Sequence, residues 1–305
     1  LTNVIFKGNT SPAYGLGGAG IFNQSNSNPE ITNAIFSGNS TGFKGAGISN
    51  EDSNPVLTNV TFSGNWSAEP GGAMSNENGS HPIAQNTIFW NNMAEGVTGT
   101  INASIKNDSG SVISITHTLL KASGGSSSWA LDTSFVNLLG NIDENPKFVT
   151  DISPAAAPTT TGNLRLQTGS PAIDTGKNDY VSDVPVDLDG EARVKDGDGD
   201  GTPTVDMGAY EYAAFYQLLV TKAGAGSGVV TSSPAGIACG DKCSFLLKED
   251  STVTLTAMAN RESIFIGWSG ACGGVGDCQL TMDAAKSVTA LFEPGVAHYL
   301  PLVKR

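Results

Sequence analysis

The chain has 305 residues, about the length of two domains and enough to bury a sizeable core. Only 15% of the residues are charged, and 16 basic against 29 acidic residues leave a net charge of −13. This balance argues against nucleic acid and anionic membrane surfaces as partners, because both attract Lys and Arg. No apolar run reaches the roughly 18 residues of a membrane-spanning helix, so no transmembrane segment is predicted. The sequence opens on Leu1 without Met or a signal-like segment, and we therefore expect a processed or trimmed product.

Internal repeats dominate the first half of the chain. A nine-residue pattern returns after steps of 30, 26 and 27 residues, at 1–9 (LTNVIFKGN), 31–39 (ITNAIFSGN), 57–65 (LTNVTFSGN) and 84–92 (AQNTIFWNN). A shorter element lies between these copies, at 20–23 (GIFN), 47–50 (GISN), 73–76 (AMSN) and, more loosely, 104–107 (SIKN). Residues 113–120 (ISITHTLL) begin a fifth copy. The repeats are too rich in Gly and Asn for helix pairs, and they alternate with the period of a strand.

This period predicts an all-β protein that begins with a right-handed parallel β-helix. A repeat of 26–30 residues suits one coil of two or three strands and their turns. Stacked coils place identical residues about 4.8 Å apart, so we expect an inward phenylalanine ladder backed by isoleucines. We also expect asparagine ladders whose amides bond along the stack, and corner glycines with positive φ. The members are Phe6, Phe36, Phe62 and Phe89; Ile5, Ile35 and Ile88; Asn3, Asn33, Asn59 and Asn86; Asn9, Asn39, Asn65 and Asn92; and Gly8, Gly38 and Gly64.

Four motifs follow the coils in order. They are 140–148 (GNIDENPKF), 164–176 (LRLQTGSPAIDTG), 187–193 (DLDGEAR) and 206–211 (DMGAYE). In this order and spacing they resemble the bacterial choice-of-anchor Q domain, and with the preceding coils the resemblance covers 1–212. It implies a secreted, surface-associated β-helix with a closing segment, and it implies no particular reaction.

Residues 196–201 (DGDGDG) place three carboxylates at alternate positions of a glycine-rich loop. Glycines let such a loop curl until its oxygens converge on a hard cation such as Ca²⁺. An EF-hand loop would require Glu where this sequence has Met207, so the motif predicts a calcium loop of another kind. A solvated acidic turn is the alternative, although closely spaced like charges favour a counter-ion. The predicted ligands are Asp196, Asp198 and Asp200, with Asp206, Asp187 or Asp189 completing the shell.

The four cysteines all fall within 40 residues near the C-terminus. Their spacing favours two local disulfides, Cys239–Cys243 and Cys272–Cys278. A four-cysteine zinc site is the alternative, although the second spacing is loose for zinc. Disulfides would indicate an oxidising, extracytoplasmic location.

The pattern of the chain changes near residue 213. Residues 253–257 and 286–292 alternate as half-buried antiparallel strands do. Together with 265–270 (FIGWSG) and 278–283 (CQLTMD), these segments resemble an InlB-type B repeat over about 216–293. The resemblance implies a small, disulfide-bonded antiparallel β module at 213–294, a spacer of secreted surface proteins, and Trp268 is expected to anchor its core.

Two surfaces predict self-association. Residues 295–305 are apolar and β-prone, and Tyr299, Leu300, Leu302 and Val303 are expected to fold back or to pair with a neighbouring chain. The first coil begins at Leu1 without a cap, which would expose Ile5 and Phe6 as a template for another chain. Such open contacts build a filament or sheath. The alternative is an upstream segment that caps the helix.

The predicted function is that of a secreted bacterial cell-surface or extracellular protein with a structural or adhesive role. The coils supply scattered acids and few bases, without the paired carboxylates of a glycoside hydrolase, so we expect no enzymatic activity. A glycan-binding module is the alternative, and it would require Tyr14, Trp66, Trp90 and Trp129 to form an exposed row. A polysaccharide lyase or hydrolase is a further alternative.

Overall fold

A computed structural model describes residues 1–12, 17–108 and 110–295 of the protein. The chain divides into two compact units, Leu1–Tyr212 and a second that begins at Ala213. The described ranges contain one α-helix, α1 (Ile101–Ser104), and three short 3₁₀ helices at Ser126–Ser128, Pro154–Ala156 and Asn178–Tyr180. None of these helices has the length and apolar character needed to cross a bilayer. The prediction of an all-β protein is therefore confirmed.

Three sheets of mainly parallel strands form the coils of the first unit. Its strands are β1 (Thr2–Lys7), β2 (Thr10–Ser11), β3 (Ile21–Gln24), β4 (Glu30–Ser37), β5 (Ser40–Thr41), β6 (Ile48–Glu51), β7 (Val56–Ser63), β8 (Trp66–Ser67), β9 (Met74–Glu77), β10 (Ile83–Gln85), β11 (Ile88–Trp90), β12 (Met93–Ala94), β13 (Val97–Thr98), β14 (Ile105–Asn107), β15 (Ile113–Thr116), β16 (Leu119–Leu120), β17 (Phe135–Asn137), β18 (Phe148–Thr150) and β19 (Asn163–Leu166). The first sheet runs β1-β4-β7-β10-β15-β17, with β11 and β16 continuing it. The second contains β2, β5, β8 and β12, with β13 antiparallel at its edge, and the third contains β3, β6, β9 and β14. A separate antiparallel pair is formed by β18 and β19. About four coils contribute to all three sheets, which confirms the parallel β-helix.

Identical residues of successive repeats are direct partners in the sheets. Phe36 pairs in register with Phe6 and Phe62, and Phe62 pairs with Phe89. Their rings stack inside the coil with centroids 4.8, 4.8 and 4.7 Å apart. The spacing of the strands therefore sets the spacing of the rings, and the predicted ladder is confirmed.

Two asparagine ladders run through the stack. The side-chain amide of Asn9 donates to Asn39 Oδ1 at 3.0 Å, and the bonds from Asn39 to Asn65 and from Asn65 to Asn92 are 2.9 Å each. A second ladder, which the sequence analysis did not include, links Asn23, Asn50, Asn76 and Asn107 at 2.7–2.8 Å. These buried amides satisfy one another, as buried polar groups must.

The prediction that isoleucines back the phenylalanine ladder inside the coil was wrong. Ile35 and Ile88 do not join the phenylalanine ladder, because neighbouring residues of a strand point to opposite faces. They are buried on the outer face, in a second core formed with residues such as Leu164 and Met207. Ile5, at the same position of the first coil, is 53% exposed.

The ladder through Asn3, Asn33, Asn59 and Asn86 was only partly right. Each of these residues has a positive φ of 48–56°, a conformation in which asparagine is enriched. Asn33 bonds to Asn3 and Asn86 bonds to Asn59, but Asn59 donates instead to the carbonyls of Asp206 and Gly208. The break arises because a later part of the chain competes for these amides.

Two four-stranded sheets form the second unit. Its strands are β20 (Phe215–Ala223), β21 (Gly228–Ser233), β22 (Ala238–Cys239), β23 (Ser244–Lys248), β24 (Thr252–Ala259), β25 (Ser263–Gly270), β26 (Cys278–Thr281) and β27 (Lys286–Pro294). The sheets are ordered β23-β20-β27-β25 and β22-β21-β24-β26, and all pairs are antiparallel except β20 with β27. Disulfides join Cys239 to Cys243 and Cys272 to Cys278. They confirm the predicted pairing and exclude the zinc alternative.

Candidate functional site in the closing segment

The closing segment, residues 140–212, lies along the outer face of the first sheet. It accepts hydrogen bonds from the amides of three successive coils: Asn33 donates to Val186 O at 2.8 Å, Asn59 to Asp206 O at 2.9 Å and Asn86 to Lys177 O at 3.2 Å. The left-handed backbone of these asparagines turns their side chains outward to meet it. The segment therefore holds several coils at once.

The corner glycines also serve this contact. Gly8, Gly38 and Gly64 have the predicted positive φ, at 67°, 57° and 68°. A Cβ atom on Gly38 would lie 2.3 Å from Thr159 O, and one on Gly64 would lie 2.2 Å from the side chain of Ile152. Glycine is therefore required at these corners both for the turn and for the close approach of the closing segment.

A buried ion pair lies between the closing segment and the first sheet. Arg193, of which only 1% is exposed, donates from Nη1 to Glu211 Oε1 at 2.5 Å. It also donates from Nε and Nη2 to Asn33 Oδ1 and from Nη2 to the carbonyls of Gly208 and Ala209. One guanidinium thus joins the outer amide of the second coil to three residues of the last motif, Gly208, Ala209 and Glu211.

Two further buried carboxylates surround this ion pair. Asp206 accepts the backbone N–H groups of Asp174 at 2.8 Å and Tyr212 at 2.5 Å. Asp187 accepts those of Asp189, Glu191 and Glu211, each at 2.8 Å. These side chains hold the turns of the closing segment, because each satisfies backbone donors that water cannot reach.

Burial changes the protonation of this group. Loss of hydration raises the pKa of Asp206 to about 7, and its backbone donors and Arg193 only partly oppose this. Burial and the neighbouring Asp206 also raise the pKa of Glu211 well above its usual value, against the effect of Arg193. A single cation therefore does not fully compensate the buried acids.

We expect the stability of the first unit to fall as pH rises from about 4 to about 7. The unfolded Asp206 titrates near pH 3.9, so between these values the folded state retains a proton that the unfolded state has released. Stability from this group is complete below about pH 4 and is lost above about pH 7. Urea unfolding at several pH values between about 4 and 7, with EDTA present, measures the slope of the free energy of unfolding against pH. Asp206→Asn should flatten it, and an unchanged slope in that variant would contradict the assignment to Asp206.

A second acidic group lies at the surface of the closing segment. Carboxylate oxygens of Asp174, Asp196 and Asp198 lie within 4.8 Å of one another. Asp174 Oδ2 accepts the backbone N–H groups of Gly197 at 2.8 Å and Asp198 at 2.7 Å, whereas its Oδ1 is buried without a hydrogen-bond partner. Burial, followed by the charges of Asp198 and Asp196, raises the pKa of Asp174. The group therefore has unsatisfied negative charge that a cation would neutralise.

The structure divides the six predicted calcium ligands. Asp196 and Asp198 lie in the acidic group, while Asp200 accepts the backbone N–H of Thr202 at 2.7 Å outside it. Asp187 and Asp206 hold backbone turns, and Asp189 forms an ion pair with Arg165 at 2.5 Å. These three do not join the acidic group. Asp174 does join the acidic group. Its own motif did not indicate this, because 21 residues lie between Asp174 and Asp196.

The second unit has a closed core around Trp268. Its indole N–H donates to Gly276 O at 2.7 Å, and its ring contacts Phe265 edge-on with centroids 5.0 Å apart. Leu218, Val253 and Phe292 are buried in the same core. This arrangement supports the predicted role of Trp268 as an anchor of the module.

Residues 218–296 match the divergent InlB B-repeat domain. The matched B repeat spans nearly all of the second unit and indicates a bacterial surface or extracellular repeat protein. The two disulfides of the B repeat are consistent with that location. No curated protein and no solved structure matches the chain.

The residues assigned to self-association lie partly outside the described ranges. Tyr299, Leu300, Leu302 and Val303 follow the B repeat and fall beyond residue 295. At the first coil, Leu1 is 57% exposed, while Phe6 stacks on Phe36. These positions do not test association between chains, which stays a prediction.

The aromatic residues proposed for glycan binding do not form a row where they are described. Trp66 lies on β8 in the second sheet, and Trp90 lies on β11 in the first. Trp129 packs against the interior core of the coil. Tyr14 falls outside the described residues. The described candidates therefore do not supply the exposed row that the glycan-binding alternative requires.

Proposed function

We propose that the protein is a non-catalytic extracellular protein of a bacterium, whose β-helix is a rigid structural or adhesive element stiffened by Ca²⁺. The carrying observation is the acidic group of Asp174, Asp196 and Asp198, which lies in the segment that holds several coils together. The B-repeat match and the disulfides support the extracellular setting. The order of the motifs in 140–212 supports kinship with the choice-of-anchor Q domain within the same proposal.

The donor chemistry of the acidic group suits calcium. Ca²⁺ takes roughly six to eight oxygen ligands in flexible geometry, and carboxylates with backbone carbonyls and water commonly supply them. Asp174 Oδ1 is buried without a partner, so a cation would satisfy an atom that nothing in the described protein satisfies. Asp196 Oδ1 and Oδ2 already accept the N–H groups of Gly199 and Gly201, which curls the loop around its own carboxylate. A carboxylate oxygen has lone pairs for both a backbone N–H and a cation.

Calcium at this position would act on the whole closing segment. Asp174 donates its backbone N–H to Asp206, which belongs to the buried network around Arg193. A cation shared by Asp174 and the 196–198 loop would fix the turn that contains Asp174 relative to the loop. The gain in stability would then be transmitted to the coils through the bonds to Asn33, Asn59 and Asn86.

We expect millimolar Ca²⁺ to raise the unfolding midpoint of the first unit. Extracellular calcium modules bind with dissociation constants of about 10⁻⁴ to 10⁻³ M. At about 1 to 10 times its dissociation constant, a ligand stabilises the folded state by roughly 0.4–1.4 kcal/mol. Thermal unfolding with EDTA, Ca²⁺ or Mg²⁺ measures this, and Ca²⁺ should give the larger shift because the loop is flexible and rich in carboxylates.

Two variants make this test specific. Asp174→Asn removes the carboxylate whose Oδ1 is buried without a partner and should abolish the calcium shift. Asp200→Asn removes an equal charge from the same loop but outside the acidic group, so the shift should persist. The absence of any calcium shift in the wild-type protein, or an equal loss in both variants, would refute the proposed site.

The contacts of the coil acids support a non-catalytic role. Glu51 and Glu77 are register partners in the third sheet, so two carboxylates of the coils lie on neighbouring strands. Glu77 forms an ion pair with Lys44, and Glu51 accepts the side-chain amide of Asn78 at 2.8 Å. Both carboxylates thus have partners that stabilise the coil.

A further inference from the structure

The fourth coil departs from the repeat. Seven residues lie between Trp66 and Met74, the first residues of β8 and β9, whereas eleven lie between the equivalent Met93 and Ile105. The additional chain turns back as the antiparallel β12–β13 pair and continues into α1. Insertions in repeat proteins form loops on one face, and that face is often the binding face.

This insertion and the end of β11 enclose a cavity of about 160 Å³. Trp90, Asn91, Thr98, Ser104 and Lys121 are among its lining residues. The volume corresponds to roughly five molecules of liquid water, so the cavity suits one small polar ligand or one unit of a polymer.

Several polar groups that reach this cavity can still bond to a ligand. The Lys121 ammonium lies 4.8 Å from the centroid of the Trp90 ring and forms no ion pair with any residue in the described ranges. The hydroxyls of Thr98 and Ser104 make no hydrogen bond within those ranges, although Ser104 is only 2% exposed. Asn91 donates its amide to Ile152 O at 2.7 Å, which leaves its side-chain oxygen able to accept a bond.

We propose that this cavity binds a carboxylated sugar unit of an acidic polysaccharide. The Trp90 indole, with the Lys121 ammonium over its ring, provides an apolar wall for the sugar ring. Lys121 provides a cation for the carboxylate, and the Thr98 and Ser104 hydroxyls with the Asn91 oxygen provide partners for the ring hydroxyls. A neutral sugar would leave the ammonium without a counter-charge, and a small carboxylate alone would leave the indole unused.

The net charge of the chain restricts how an acidic polysaccharide can bind. A net charge of −13 disfavours broad attraction to a polyanion, so binding must depend on the local cation. At physiological salt the screening length is about 8 Å, so acidic residues farther than this from the cavity repel a bound carboxylate only weakly. The inference does not depend on calcium, because its cavity does not include the acidic group of Asp174, Asp196 and Asp198.

Calorimetric titration of the 305-residue protein with trigalacturonate, in EDTA, tests the proposal. Neutral galactotriose is the matched probe without the carboxylates. We expect the uronate to bind at millimolar concentration or better and the neutral sugar to bind at least about tenfold more weakly, since a charge-assisted hydrogen bond is lost.

Lys121→Gln should weaken uronate binding by about tenfold or more, whereas Lys106→Gln removes an equal charge outside the cavity and should leave it unchanged. Trp90→Phe, which keeps an aromatic plane, should retain uronate binding with reduced affinity, and circular dichroism checks that each variant is folded. No binding of the uronate, equal binding of the two sugars, or equal loss in the two lysine variants would overturn the proposal.

Discussion

Replacing Arg193 with methionine lowers the free energy of unfolding of the first unit by about 3–5 kcal/mol. The substitution leaves the Glu211 carboxylate buried beside Asp206 without its cation. It also removes the donors that satisfy Asn33 Oδ1 and the carbonyls of Gly208 and Ala209. Urea unfolding followed by intrinsic fluorescence measures the change, since three of the four tryptophans lie in this unit.

Arg165→Met is the matched control for this prediction. Arg165 also forms an ion pair with an aspartate of the closing segment, Asp189, but its side chain is 41% exposed. Exposed ion pairs contribute only about 0–1 kcal/mol, so the control should change stability little. The double variant Arg193→Met with Glu211→Leu should recover part of the loss, because it removes the uncompensated charge. Equal effects of the two arginine substitutions would show that burial of the Arg193 pair is unimportant.

Phe62→Ala lowers the free energy of unfolding by about 3–5 kcal/mol. Phe62 is fully buried, and its ring stacks between those of Phe36 and Phe89 at 4.8 and 4.7 Å. Removing the ring opens a cavity inside the coil that the stacked strands cannot close, because backbone hydrogen bonds hold their spacing. Chemical unfolding of the purified variant gives the value.

Phe6→Ala is the internal comparison for Phe62→Ala. The same ring at the first coil stacks on one neighbour and is only half-buried, so its loss should cost clearly less. Phe62→Leu, which retains much of the apolar volume, should fall between the two alanine variants. Equal losses at Phe6 and Phe62 would contradict a contribution that depends on stacking from both sides.

The repeats predicted the interior of the β-helix in detail. A pattern that returns every 26–30 residues defines the strand register, and the register determines that Phe6, Phe36, Phe62 and Phe89 meet. The cysteine spacing was similarly decisive, since both disulfides close short local loops. Local periodicity and local spacing are sufficient to predict a contact where the interacting residues occupy equivalent positions of the repeat or neighbouring positions of the chain.

The outer face could not be predicted in this way. Ile35 and Ile88 are buried only because the closing segment covers them, and that contact joins residues more than 50 positions apart with no shared pattern. For the same reason, Asp187 and Asp206 were assigned to calcium on their closeness in sequence, whereas they hold backbone turns. Asp174 belongs to the acidic group through a fold contact that no local motif encodes.

The asparagines that meet the closing segment change how the coils should come apart. In a solenoid each repeat touches only its neighbours, so repeats can detach from an end one at a time. Asn33, Asn59 and Asn86 belong to three different coils, yet all three donate to the same covering segment. Detaching one coil therefore also loosens the cover of the other two. Because the closing segment is bonded to three coils along the stack, a single cooperative opening of the coils is favoured over stepwise fraying from an end. The partly open states that proteases attack are therefore less populated.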